Sequence, residues 1–263
     1  MHKKLLILLL IITTILTACI PKQDNAFKDL DSEKESEEGT LDEVSQKLEE
    51  KDQLQVLKDY YEAIEKDISE EELISSTRNN ILKLDDNKVD EMLIQLESFL
   101  YSKGYDPLKV TEKLNPFVES TSDEYKSYFK IWKTETEKET TDGEGLNISA
   151  EEIIDRALEI ERHSLKFSGN IFKEKLDDLF KAYISLSLKG LGNPYIFAKE
   201  GETTLSPDFL EMYKEKIDKN PETRTAQVLN MYIEELEKDS YNLNGDNVNY
   251  FYENIDNIIE STK

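Results

Sequence analysis

Residues 88–102 read KVDEMLIQLESFLYS. Val89, Met92, Leu93, Leu96, Phe99 and Leu100 recur at spacings of three and four. That rhythm lines up apolar side chains on one face of an α-helix and leaves the charged and amide groups on the other. The rhythm returns along the chain. Leu54, Leu57, Tyr61 and Ile64 form one stripe, and Ile153, Ile154, Ala157, Leu158 and Leu165 another. Phe172, Leu176, Leu179, Phe180, Tyr183 and Ile184 follow, then Ala226, Leu229, Tyr232, Ile233 and Leu236, and last Val248, Phe251, Ile255, Ile258 and Ile259. No comparable run alternates with period two. The pattern predicts an all-α protein, a bundle of about ten helices.

Start signals agree with the stripes. Thr40 and Glu43, Ser69 and Glu72, Thr121 and Glu124, and Ser149 and Glu152 each have the capping-box spacing, which satisfies two otherwise free amides. Asp106-Pro107, Ser206-Pro207 and Asn220-Pro221 place a cap residue before a Pro at the first helical position. Helices are expected near 41–67, 70–84, 88–102, 107–117, 122–138, 150–167, 170–189, 207–219, 222–239 and 246–260.

Residues 134–147, TETEKETTDGEGLN, carry almost no apolar side chain, so 134–148 is expected as an exposed loop between helical halves 40–133 and 149–263. The halves share a pattern. Leu54, Leu57 and Tyr61 parallel Leu176, Leu179 and Tyr183 at an offset of 122 (176 − 54). Leu73, Val89, Met92, Leu96 and Leu114 then parallel Leu210, Ala226, Leu229, Ile233 and Phe251 at 137 (210 − 73). Two readings stand, a duplicated helical unit and coincidental hairpin spacing. Under the first, residues 190–205, GLGNPYIFAKEGETTL, are an insertion, and Tyr195, Ile196 and Phe197 form either a binding lip or a patch tucked onto the core.

The N-terminus carries a different signal. Lys3 and Lys4 precede Leu5–Leu16, apolar except for Thr13 and Thr14. Such a stretch fits a secretory signal and is too short to cross a hydrocarbon layer of roughly 30 Å. Leu16-Thr17-Ala18-Cys19 follows, and it resembles the lipobox of bacterial lipoproteins. The resemblance implies a leader over 1–18, recognition by the signal peptidase through Leu16, Thr17 and Ala18, and a lipid on Cys19. It places the protein on the extracytoplasmic face of the cell membrane, palmitate-bearing and, by its Lys, Ile and Asn usage, from a Gram-positive host. Residues 19–39 then read as a flexible acidic tether. Glu211-Met212-Tyr213-Lys214 is similar to the tetrapeptide of the EMYY-motif lipoproteins, with Lys214 departing from the final Tyr.

The 263 residues carry 33 Lys+Arg against 57 Asp+Glu, a formal net charge of −24. A broad basic surface for nucleic acid is excluded, because phosphate contacts need clustered cations. One Cys and two His leave no disulfide framework and no zinc ligand set, and no cofactor fingerprint appears. His163 is expected at the surface or its boundary, paired with a nearby carboxylate. The acidic runs around Asp142 and Asn242 read as polar turns rather than calcium loops. The expected partners are the membrane, through Cys19, and a basic protein or peptide steered by the negative field. The expected function is a helical binding module at the cell envelope with no catalytic residue, cofactor or metal. The alternatives are a hydrolase with two facing carboxylates acting on envelope glycan, and a purely structural lipoprotein.

Overall fold

The structure is a computed structural model and describes residues 41–167 and 171–262, with side chains from residue 50 onward. The chain divides into two compact units, one up to Lys126 and one from Ser127 onward. The all-α class is as the sequence predicts: eleven α-helices and three 3₁₀ segments, with only isolated bridges and no regular strand among the described residues.

The first unit holds α1 (Leu41–Glu65), α2 (Glu70–Asn80) and its 3₁₀ extension (Ile81–Lys83), α3 (Asp86–Ser102), α4 (Pro107–Leu114) and a 3₁₀ segment (Asn115–Ser120). It ends in the first turn of α5 (Asp123–Glu137). Helix α3 is central and packs against α1, α2 and α4. Val89, Met92, Leu93 and Leu96 are fully buried along it. Burying a side chain of that kind contributes about 1.5–3 kcal/mol, so this face holds the unit together.

The second unit holds the rest of α5, α6 (Ala150–Lys166), α7 (Lys173–Lys189), a 3₁₀ segment (Pro194–Phe197), α8 (Pro207–Lys219), α9 (Arg224–Lys238), α10 (Asp246–Glu253) and α11 (Ile255–Ser261). Helices α6 and α7 form a hairpin, and α9 packs on α6, α8, α10 and α11. Ile153, Ile154, Leu229 and Tyr232 are fully buried at the centre.

Local chemistry explains where the helix ends depart from expectation. Ser69 and Glu72 form the full capping box of α2. At α5 the cap is Ser122, whose Oγ accepts from the Tyr125 amide at 3.1 Å, while the Thr121 hydroxyl turns back to the Val118 carbonyl. Helix α9 starts at Arg224, because the Thr223 hydroxyl accepts from the Ala226 amide, leaving Pro221 outside. The expected helix 246–260 breaks at Asn254 into α10 and α11. The calls on Thr40 and on residues 1–39 lie outside the described residues.

The segment 134–148 is less exposed than its composition implies. Residues 134–137 complete α5, Thr136, Thr140 and Ile148 are buried, and the division of the chain falls earlier, inside α5. Arg156 on α6 holds the segment: its guanidinium donates to Glu135 at 2.7 Å, to the Lys138 carbonyl at 2.9 Å and to Thr140. The Tyr183 hydroxyl donates to the same Glu135 carboxylate at 2.7 Å. Beyond it, Asp142 accepts from the amides of Glu144 and Gly145, which is a polar turn.

Candidate functional site: a pinned surface loop

Helix α7 stops because Gly190 adopts φ 58° and ψ −150°, a conformation closed to side-chain-bearing residues. A Cβ there would also meet Ile196 Cδ1 at 2.9 Å and the Asn193 carbonyl at 3.1 Å. The chain then folds back on itself. The Asn193 side chain accepts from the Tyr195 amide at 3.2 Å and starts the 3₁₀ turn Pro194–Phe197.

The loop after that turn is fixed at both ends. Phe197 is buried and meets Phe209 edge to face at 5.2 Å, and Leu205 is buried as well. The Ser206 amide donates to the Phe197 carbonyl at 2.9 Å. Two further backbone bonds tie the loop to the turn after α9: Leu205 N–H to the Tyr241 carbonyl at 2.9 Å, and Leu243 N–H to the Thr203 carbonyl at 2.8 Å. Just ahead of these anchors, in the 3₁₀ turn, Tyr195 is 41% exposed and Ile196 45% exposed. Glu200 and Glu202 on the same loop are exposed.

The three residues of the expected lip therefore separate. Tyr195 and Ile196 face solvent, whereas Phe197 belongs to the core and cannot line a surface. The loop is tucked onto the core by Phe197 and Leu205, and that attachment leaves Tyr195 and Ile196 exposed.

Beneath the ledge lies a group of tyrosines that the sequence did not mark. The last carbonyls of α7 lack helical partners. Tyr213 donates to the Ser187 carbonyl at 2.8 Å and Tyr252 to the Leu188 carbonyl at 3.2 Å. The Tyr232 and Tyr252 hydroxyls lie 2.6 Å apart. Burial pushes the Tyr252 phenol up to about 12; its bond with Tyr232 opposes the shift, and neighbouring Tyr195 adds to it. Tyr213, from the EMYY-like tetrapeptide, is fully buried in this role.

Two of the buried carboxylates serve helix ends. Asp90 on α3 accepts from the Ser122 amide at 2.9 Å, at the start of α5. Burial, and beyond it the charges of Asp86 and Glu124, raise its carboxyl above the ordinary Asp range despite the bonds from Ser122. Glu161 on α6 accepts from the Arg224 amide at 2.6 Å and the Thr225 amide at 3.1 Å, at the start of α9. Each carboxylate meets the positive end of a helix dipole, which stabilises an anion. Glu97 is buried one heptad along α3 from Asp90. A signal for these was present: Glu97 and Glu161 fall four residues after Leu93 and Ala157, on the apolar stripes.

His163 is buried rather than superficial, with Nδ1 2.9 Å from the Ser127 hydroxyl. Among the described residues, no group of three or more His, Cys, Asp or Glu is placed to hold a metal ion, and no helix is long and apolar enough to cross a membrane. Leu16, Thr17, Ala18 and Cys19 lie outside the described residues. Comparison with protein-family models, curated proteins and solved structures finds no match.

Proposed function

We propose that this chain is a membrane-anchored surface lipoprotein, held through Cys19, which presents the Tyr195–Ile196 ledge to a cationic peptide or protein at the cell envelope. The observation that carries the reading is the contrast within one loop: an exposed aromatic–aliphatic pair set between the Gly190–Asn193 turn and the buried Phe197. An anchor already held in one conformation loses little entropy when a partner covers it. Aromatic anchors of this kind dominate interface energies. The charge sets the partner's sign, because a net charge of −24 steers cations, and Glu200 and Glu202 outnumber Lys199 on the loop that follows the pair.

Two experiments test the halves of this reading. Metabolic labelling with palmitate should mark the parent chain and leave Cys19→Ser unlabelled; equal labelling of both removes the anchor. A fluorescent peptide of alternating Lys and Leu should bind the full chain more weakly as salt rises. Tyr195→Ala/Ile196→Ala should weaken it by at least about tenfold, the loss of roughly 1.4 kcal/mol. Unchanged binding to the double variant removes the ledge from the function.

A further inference from the structure

The polar turn after α9 reads Asp239-Ser240-Tyr241-Asn242-Leu243-Asn244-Gly245, and Asn244-Gly245 is the one Asn-Gly pair in the chain. Asn244 is exposed, and among the described residues its carboxamide takes part in no hydrogen bond. The structure demands glycine after it. The Asp239 carboxylate accepts from the Val248 amide at 2.9 Å and from the Asn247 side chain at 2.6 Å, which caps α10. A Cβ on residue 245 would overlap that carboxylate. The cap therefore removes the side chain that would otherwise screen the Gly245 nitrogen from the Asn244 carboxamide. A single turn bond holds that nitrogen, to the Asn242 carbonyl at 3.0 Å, and local opening of a surface turn releases it.

The same turn supports the loop that follows the ledge. Leu243 N–H donates to the Thr203 carbonyl at 2.8 Å, and Leu205 N–H to the Tyr241 carbonyl at 2.9 Å. The Asn249 side chain donates to the Asn244 carbonyl at 3.3 Å. Ser240 and Tyr241 lie at φ 53° and 62°, in the left-handed region that residues with side chains avoid. Such a conformation persists only while its surroundings enforce it, so a small change in the length of the turn is enough to loosen the pairing.

We propose that Asn244 is a site of spontaneous conversion to aspartate and isoaspartate, and that the isoaspartyl form loosens the loop behind the Tyr195–Ile196 ledge. The Gly245 nitrogen gives its proton to solvent and attacks Asn244 Cγ. The new C–N bond forms as the bond from Cγ to the amide nitrogen breaks, and ammonia leaves with a proton from water. The cyclic imide then takes up one water. Opening at Cγ restores the ordinary chain with an aspartate side chain. Opening at the main-chain carbonyl gives isoaspartate, in which the chain runs through Cβ and Cγ and is one atom longer. Both products carry a new carboxylate, and no oxidant or reductant is involved. The extra atom falls between Leu243, which is bonded to Thr203, and Gly245, which fits against Asp239. The effect on binding rests on the reading of the ledge as a binding surface, whereas the conversion does not.

The test compares fresh full chain with full chain aged at neutral pH in heavy-oxygen water, by peptide mapping and hydrogen exchange. Asn244 should convert at least about tenfold faster than Asn242 and Asn249, which precede the bulky Leu243 and Tyr250. The products should include isoaspartate and carry solvent oxygen. In the isoaspartyl fraction, exchange at 203–205 and 241–243 should rise at least about tenfold. Asn244→Asp adds the charge without the extra main-chain atom, so its exchange should match the fresh parent. The isoaspartyl fraction should also bind the Lys–Leu peptide about threefold more weakly. Conversion at Asn244 no faster than at its neighbours, exchange unchanged in the isoaspartyl fraction, or exchange raised equally by Asn244→Asp each overturns the proposal. Failure of the fresh chain to bind the peptide defeats the ledge reading instead, because mapping and exchange use no peptide.

Discussion

Two stretches of the chain follow one plan. From Leu41 to Ser120 the order is a long helix, then α2, α3, the short α4 and a 3₁₀ segment; from Lys173 to Ser261 it is α7, α8, α9, the short α10 and α11. Glu70 and Pro207, the first residues of α2 and α8, stand 137 apart (207 − 70), which is the offset read from the apolar pattern. In both sets the third helix packs on the second, fourth and fifth elements. The connections after the first helix differ. In the first set it is residues 66–69, a tight turn through Asp67 at φ 53°. In the second it is residues 190–206, the pinned loop with the exposed Tyr195 and Ile196. The helical plan supplies stability in both, and the exposed aromatic–aliphatic pair occurs where the plan is interrupted.

The largest loss is expected at Arg156, which lies on α6 outside both sets and supports the second through Glu135, the acceptor of Tyr183. Arg156→Ala removes one partner of a nearly buried ion pair and leaves Glu135 uncompensated, so it should cost about 3 kcal/mol in chemical denaturation. A loss under about 1 kcal/mol would mean that residues 134–148 hold their place without it. Gly190→Ala comes next. It should cost about 2 kcal/mol, because the residue must keep a glycine-only conformation against Ile196. Peptide binding at the ledge should fall with it. Gly192→Ala, at φ 83° in open space, should cost less and spare binding.

Two buried tyrosines sharpen the comparison, although the offset of 122 sets Tyr183 against Tyr61. Tyr60 and Tyr183 are both buried on the first helix of their sets. Tyr60 shares a 2.8 Å bond with the neutral Thr77, while Tyr183 donates to the charged Glu135. Bonds to charged groups are worth more, so Tyr183→Phe should cost about 2 kcal/mol and Tyr60→Phe about 1 kcal/mol in urea unfolding. Equal losses would argue that the two positions have the same surroundings.

The smallest effect is in the pH dependence. Asp90 has a raised carboxyl, chiefly through burial. Its penalty is present above the raised value and is relieved as pH falls toward the ordinary ~3.9. Glu152 is lowered, first by its bond from Lys138 and, against the cost of burial, by Arg156. Its contribution is present above the ordinary ~4.3 and is lost as pH falls further. Asp90→Asn should therefore flatten the gain in melting temperature just above pH 4, and Glu152→Gln the loss below it.

Much of this was legible in the residues. The stripes fixed the helix count to within one, and seven of the ten expected starts agree to within a residue of the described ones. The register of single faces was less legible. Tyr61 was read as core, yet it is Tyr60 that is buried, while Tyr61 lies half-buried beside Glu91 with its phenol raised to about 12 by burial and that carboxylate. A period of 3.6 leaves adjacent aromatics equally plausible, and only packing decides between them. The long-range caps were less legible still, because Glu161 meets Arg224 through a fold that no local spacing describes. The pinned loop was found for a different reason: its two glycines, its Asn-Pro and its apolar triplet stand out from a helical background, although which of the three faces outward depends on the Phe209 ring.

Hydrogen exchange of the full chain, with and without the Lys–Leu peptide, tests the central claim most directly. The account expects new protection confined to residues 190–206 and the adjoining turn 239–245, with residues 66–69 unchanged. Protection that appears at 66–69, spreads evenly over both helical sets, or fails to appear at 190–206 would contradict it.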